Sequence, residues 1–555
     1  MKKNGFAVLL MLILAAAVFA AGGQQQAAAA QSGAGSSIVT APGTFPVVNS
    51  PVTLKVFAGG SASIENFETN EFTKSYEQKT GVKLSWQVAP PDSVAEQRRL
   101  SIASGDLPDF YMNAGFTRND EVSYGKDGVF APLNNVIDTY GYWIKDMFKE
   151  MPESRSLITA PDGNIYGLPF SSDSIHTLFN AKLYINSAWL KALNLKVPST
   201  TAEFQDVLRA FKTKDPNGNG KADEIPLITF QPAGNGTNQV VPFFVNSFIQ
   251  MDMNGFYVTK DDKVDIAYNK PEFRQALQYL NGLVNEGLLD PTSFSITQAQ
   301  LRQLAEDPAG MLLGSVIMQA PSTIYAMTSP RQMDLDAIAP MQGPNGVRLG
   351  IYWPDTQVTT GALIVTTKCK YPEVVMRWVD WFFSLEGILN MRIGRQGIEW
   401  DYPKPGDLSY TGEPAQWINI GSQGGSTNLF WMQYGVASYN RHSKQLGVSD
   451  DKFYGPEGLN TRLYKYTIDS YVPYKPDKYL PPMYFEASVL DPISQPLNDV
   501  TNYRNQMWAR FITGDLALND ANWTAYVNTL NQMGIANIIS AYQKTYDNYL
   551  KNAGK

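Results

Sequence analysis

The chain has 555 residues, a formal net charge of −7, and 44 % hydrophobic and 12 % aromatic residues. One core seldom serves more than about 250–300 residues, so two lobes or more are expected, and an acidic chain with dispersed lysine and arginine argues against nucleic acid or anionic membrane as partner. The single cysteine, Cys369, excludes an intramolecular disulfide.

Residues 1–20 read as a secretory signal peptide: Lys2 and Lys3 precede the apolar run FAVLLMLILAAAVFA, which is short for a membrane span. Its removal takes two lysines and no acids, moving the formal charge from −7 to −9. Residues 21–50 begin with low-complexity GGQQQAAAAQSGAGSS and are expected to be a flexible leader. No cysteine stands there to carry a lipid, so the expected product is an exported, periplasmic protein without a lipid anchor.

From residue 53 the pattern is α/β. TLKVF predicts a strand, IENFETNEFTKSYEQKTG a helix stopping at Gly81, VKLSWQVA a second strand, and SVAEQRRLSIASG a helix closing at Gly105. Strand and helix alternating at this spacing predict right-handed crossovers and a mostly parallel sheet. Ligands of such sheets bind beyond the carboxyl ends of the strands, where loops 58–63 and 112–120 fall.

At 215–226 the chain reads DPNGNGKADEIP, the opening of an EF-hand loop that reaches Pro226 where the twelfth-position glutamate would stand. Further along, 271–290 predicts a helix with Phe273, Leu277, Leu280 and Val284 on one face, and GALIVTT (361–367) a buried strand. YPEVVMRWVDWFFSLEG (371–387) predicts one helix whose Trp378, Trp381 and Phe382 pack in the core. The tail 522–550 predicts two helices parted at Gly534.

Two histidines, His176 and His442, and the absence of HExxH, CxxC, G-x-S-x-G and P-loop motifs give no support to zinc hydrolysis, serine esterase chemistry or nucleotide binding. Among 52 acids no pair is singled out for glycoside hydrolysis. The chain is read as a non-enzyme.

The stretch YGLPFSSDSIHTLFNAKLYINSAWLKALNLKVPSTTAEFQDVLRAFKTKDPNGNGKADEIPL (166–227) resembles the extracellular solute-binding proteins of family 1, within the subgroup of alginate-oligosaccharide-binding and LplA-like proteins. SGDLPDFYMN (104–113), GVFAPLNNVIDTY (128–140), APDGNIYGLP (160–169), KYPEVVMRWVDWFFSLEG (370–387) and RFITGD (510–515) follow in the expected order, so the resemblance spans the mature chain. It implies a two-lobed α/β periplasmic-binding-protein fold, with the ligand in the interlobe cleft and several hinge crossings. These are expected near Leu168–Ser172, Ala337–Pro340 and Ile393–Gly397. The first lobe is then 51–168 with 340–393, and the second 169–339 with 394–555.

The resemblance also implies a structural calcium ion at 215–224, held by Asp215, Asn217, Asn219, the main-chain oxygen of Lys221, Asp223 and Glu224. An Asn/Gly-rich turn without metal is the alternative. For the cleft it implies sugar stacking by aromatic side chains, placed on Trp431, Phe170, Trp400 and Tyr402, with Asn113, Asp173 and Gln319 on loops facing it; packing within a lobe is the alternative for each aromatic. Ala320 stands where relatives carry a cleft tryptophan, which argues against alginate. The expected function is a monomeric receptor that delivers an oligosaccharide to the permease of an ABC importer. A secreted carbohydrate-active enzyme and a sensory solute receptor are the alternatives.

Overall fold

Along Val82–Ala89, Val82 and Leu84 are buried while Lys83 and Ser85 are exposed, as befits a strand with one face on a core. It forms the edge of a six-stranded sheet ordered Ser438–Asn440, Gly167–Ser172, Val358–Val365, Phe110–Met112, Val52–Gly59, Val82–Ala89. The fold comes from a computed structural model describing residues 38–552 apart from 62, 233–235, 309, 327–328, 355–356, 421–427, 433 and 447–457. The signal peptide lies outside the described residues. Among the described residues no helix is long and apolar enough to cross a membrane.

Helix stops fall where glycine permits a left-handed turn. Gly81 (φ 75°) and Gly105 (φ 74°) end Glu71–Thr80 and Val94–Ser104, and Gly534 (φ 85°) parts Asp520–Gln532 from Ile535–Asn552. The first sheet is mixed: Val358–Val365 runs antiparallel to both neighbours, and the remaining pairs are parallel. The predicted helix over 371–387 is two, Pro372–Asp380 and Leu385–Arg392, because the Ser384 side chain accepts from the Gly387 N–H and starts a new cap.

A second sheet places Lys182–Asn186 between Ser315–Met318 and Leu335–Ile338. Around it gathers a core drawn from Leu178 to Ile351 and again from Leu459 to Tyr546. The first sheet's core runs from Val39 to Leu168 and again from Val358 to Tyr439. The chain therefore changes lobe between Ser172 and Leu178, between Ile351 and Val358, and between Tyr439 and Leu459.

Two expected boundaries are thus corrected. Met341 and Ile351 still pack in the second lobe, and Trp400, Trp417, Phe430 and Tyr439 pack in the first. The leader is corrected too: Val39, Val47 and Val48 are buried, and one guanidinium nitrogen of buried Arg377 donates to the Ala41 and Thr44 carbonyls, both at 2.7 Å.

Candidate ligand cleft and calcium loop

At the carboxyl end of Phe110–Met112 the chain enters Asn113 with φ 47°, a left-handed conformation that costs a non-glycine residue energy and draws attention to a site. Its N–H donates to Ala362 O at 2.9 Å. Its carbonyl lies where a Cβ on Gly59 would come within 2.2 Å, so residue 59 at the end of the neighbouring strand must be glycine. The Tyr434 hydroxyl donates to Gly59 O at 2.6 Å and lies against the Asn113 side chain, fixing both strand ends.

Phe170, on first-lobe strand Gly167–Ser172, and Asp173 stand at the start of the first crossing. Phe170 is half-buried with the Arg392 guanidinium 5.0 Å from its ring centroid. Asp173 accepts from the Ser443 N–H at 2.8 Å and from the Ser443 hydroxyl, and burial raises its carboxyl above the usual range. The two histidines meet beside them, ring centroids 6.0 Å apart. Nδ1 of His176 bonds the Ser174 hydroxyl at 2.9 Å, and burial with His442 and Lys182 nearby holds this imidazole well below its usual range. His442 is pushed down to about 4 by burial and by Arg392.

On the second lobe, Gln319 is exposed just past Ser315–Met318, and its carbonyl accepts from the Tyr184 hydroxyl at 3.1 Å. Ile228 lies parallel to Val316, so the loop after residue 229 leaves at the same end as Gln319. Sequence reasoning missed Trp353, half-buried at the second crossing with its main-chain N–H donating to Leu178 O at 2.8 Å. It also missed Tyr352, packed edge-on to Tyr479 at 4.7 Å under the Lys475 ammonium. The cue was an aromatic pair beside proline, YWP, outside any periodic segment.

Two predicted contacts are corrected. Trp431 is 1 % exposed, enclosed by Phe67, Phe72, Trp86 and Phe382, and its indole N–H donates to Thr73. Trp400 is fully buried with its N–H on Gly394 O at 3.0 Å. Neither offers a ring face. Tyr402 is exposed on a surface hairpin, its ring edge-on to Trp400.

The loop at 215–224 follows helix Thr201–Thr213, whose start is fixed by a reciprocal cap between Thr200 and Glu203. Asp215, Gly218 and Gly220 all have positive φ (45°, 71° and 75°), curling the loop. Asp215 accepts from the Asn219 and Gly220 N–H groups at 3.1 and 3.0 Å, while the Asn217 and Asn219 amides both donate to Asp223. Oε1 of Glu224 is buried without a hydrogen-bond partner, and burial with Asp223 and Asp215 nearby raises its carboxyl. An orphaned carboxylate oxygen in a loop of hard oxygen donors fits a cation such as Ca²⁺. Among the described residues no three His, Cys, Asp or Glu side chains converge, so such an ion would also need the amide and main-chain oxygens.

Two α/β lobes, a chain that crosses between them three times and polar groups gathered at strand ends define the architecture of a solute-binding protein. Residues 58–387 match the family described as bacterial extracellular solute-binding protein, and the chain belongs to it. It is similar to the fructooligosaccharide ABC transporter substrate-binding protein FusA of Streptococcus pneumoniae, 28 % identical over 529 residues and 92 % of each chain. The FusA structure with kestose superposes with a TM-score of 0.72 at 25 % identity, covering 90 % of this chain and 100 % of that one. An HMO-binding, ABC-transporter-associated solute-binding protein of Bifidobacterium longum infantis gives 0.74 at 20 % identity, over 90 % and 99 % of the two chains.

Proposed function

We propose that this chain is the substrate-binding protein of an ABC importer and that its ligand is an oligosaccharide enclosed between the lobes. The observation that carries this reading is the correspondence with a fructooligosaccharide-binding protein along 92 % of both chains. The strand-end groups suit such a ligand: Asn113 and Gln319 carry amides, Asp173 a carboxylate, and Phe170 and Trp353 rings that are half-buried. Carbohydrate recognition needs this combination, with apolar ring faces for stacking and fixed donors and acceptors for hydroxyls.

The loop at 215–224 holds calcium, which supplies positive charge to Asp215, Asp223 and the orphaned Glu224 and fixes the end of the preceding helix. An EF-hand mutant of FusA has been solved in complex with fructo-nystose. The protein acts outside the cytoplasm as a monomer, exported by residues 1–20, and hands its ligand unaltered to the permease.

Calorimetry and product analysis against kestose, nystose, human-milk and alginate oligosaccharides test the reading. One saccharide class should bind at one per chain and be recovered at its original length. Shortened products, or no binding across the panel, would overturn it.

A further inference from the structure

Tyr484 belongs to a segment whose flanking helices, Leu459–Ser470 and Ala487–Thr513, both pack in the second lobe. Its own ring nevertheless packs against a small first-lobe cluster that includes Phe57, Tyr111, Phe116 and Phe130. There its hydroxyl donates to Oε2 of Glu121 at 2.8 Å, and the Thr360 hydroxyl donates to Oε1 at 2.5 Å. Glu121, on helix Arg118–Lys126, is fully buried, and the Arg118 guanidinium sits 5.7 Å from the Tyr484 ring centroid.

The surroundings are shaped for this carboxylate. A Cβ on Gly167 would stand 2.5 Å from its Oε1. Thr360 lies within strand Val358–Val365 at the register shift between Thr359 and Leu363, beside Gly361 at φ 72°. That bulge is next to Ala362, the residue that binds the Asn113 N–H, so the carboxylate lies close to the first lobe's strand-end groups. The charged groups facing Glu121 are Arg118 and Asp120 on its own helix; Thr360 and Tyr484 reach it from the other elements. Nearby Tyr166 directs its hydroxyl to Asp162 instead.

We propose that Tyr484 and Glu121 form a clasp between the lobes, seated on closure and withdrawn on opening, so that this contact helps set the open–closed balance of the receptor. The proposal rests on the reading of the chain as a receptor whose lobes close. Burial pushes the Glu121 carboxyl up to about 7 against the hydrogen bonds from Thr360 and Tyr484. Withdrawal of Tyr484 admits water and returns the carboxyl toward its ordinary range. The seated state then binds more protons than the open one, so seating is strongest below the ordinary carboxyl range and fades as pH rises through about 7.

The test is small-angle scattering of the ligand-free mature chain at mildly acidic and mildly alkaline pH, for wild type, Glu121→Gln and Tyr484→Phe. Wild type should be more compact in acid, with a closed-to-open ratio changing by up to roughly thirtyfold between about pH 5.5 and 8.5, from a tenfold change per pH unit between the two carboxyl values. Glu121→Gln should be compact at both pH values. Tyr484→Phe keeps the ring and should be more open at both. Radii of gyration that coincide for all three proteins at both pH values overturn the clasp. Because no saccharide is present, a failed ligand screen leaves this result standing, and a flat scattering result leaves the ligand reading standing.

Discussion

The indole N–H of Trp431 donates to the Thr73 hydroxyl at 2.9 Å, across 358 positions of sequence, with both side chains buried in the first lobe. A ring held in this way is part of the fold and does not wait for a ligand. Trp431→Ala should cost about 3–5 kcal/mol of stability, the range for removing a buried aromatic. The protein that remains folded should bind as wild type does. Melting and affinity measured on one sample decide it; a stable variant with weakened binding would return the ring to the cleft.

Calcium should stabilise the protein because an ion bound only by the folded loop shifts the equilibrium by mass action, about 2.7 kcal/mol at a hundredfold excess over its Kd. A chelator should lower the melting temperature of wild type. Asp215→Ala and Glu224→Gln should melt lower and respond little to chelator. Equal melting with and without calcium, together with no metal by elemental analysis, would leave the loop a turn.

Local signals were legible and distant ones were not. Strand Val82–Ala89 and the stops at Gly81, Gly105 and Gly534 follow from period and glycine chemistry within a few residues. The fate of Trp431 depends on Thr73, Phe67 and Trp86, which no periodicity around residue 431 encodes. Arg377 likewise sits in an amphipathic helix yet anchors the segment around Ala41, which composition alone marked as flexible. Asn113 and Gln319 stand just past strands Phe110–Met112 and Ser315–Met318, and strand ends can be read from sequence. For Trp353 the motif YWP marks only an aromatic outside a periodic segment; its place depends on where the chain changes lobe, which no local pattern encodes.

Acid should destabilise the fold through His176, which is buried, and His442, which is half-buried. His442 is pushed down to about 4, so its folded form resists a proton that the unfolded chain accepts near 6.5. Its contribution is fully present above about 6.5 and is lost as pH falls toward about 4. Glu121 and Asp380, raised to about 7 and about 6, act oppositely by favouring the folded state as they take up protons. A variant is therefore needed to separate the terms. His442→Gln should match wild type in pH dependence near neutrality and gain roughly 2–3 kcal/mol on it by about pH 4.5, from the 1.36 kcal/mol per pKa unit of linkage. Parallel stability curves for the two proteins would remove His442 as a cause.

Asn113 offers the sharpest separation of fold from binding. Its φ of 47° is tolerated by asparagine and unstrained in glycine, which offsets the lost contact with Tyr434, so Asn113→Gly should fold within about 1 kcal/mol of wild type. A β-branched residue in the same conformation should be destabilised by about 1–2 kcal/mol, so Asn113→Val serves as the strained control. The glycine variant keeps the backbone that packs its carbonyl against Gly59 while losing the amide at the strand end. If that amide meets a saccharide hydroxyl, its loss should weaken binding by about 0.5–1.5 kcal/mol, the usual net worth of one hydrogen bond. Calorimetry with the saccharide found for wild type reads the change, and circular dichroism melting confirms that the fold is intact. Unchanged affinity in a stable Asn113→Gly protein would mean that the left-handed turn serves only to seat the strand ends, and that the ligand lies elsewhere in the cleft.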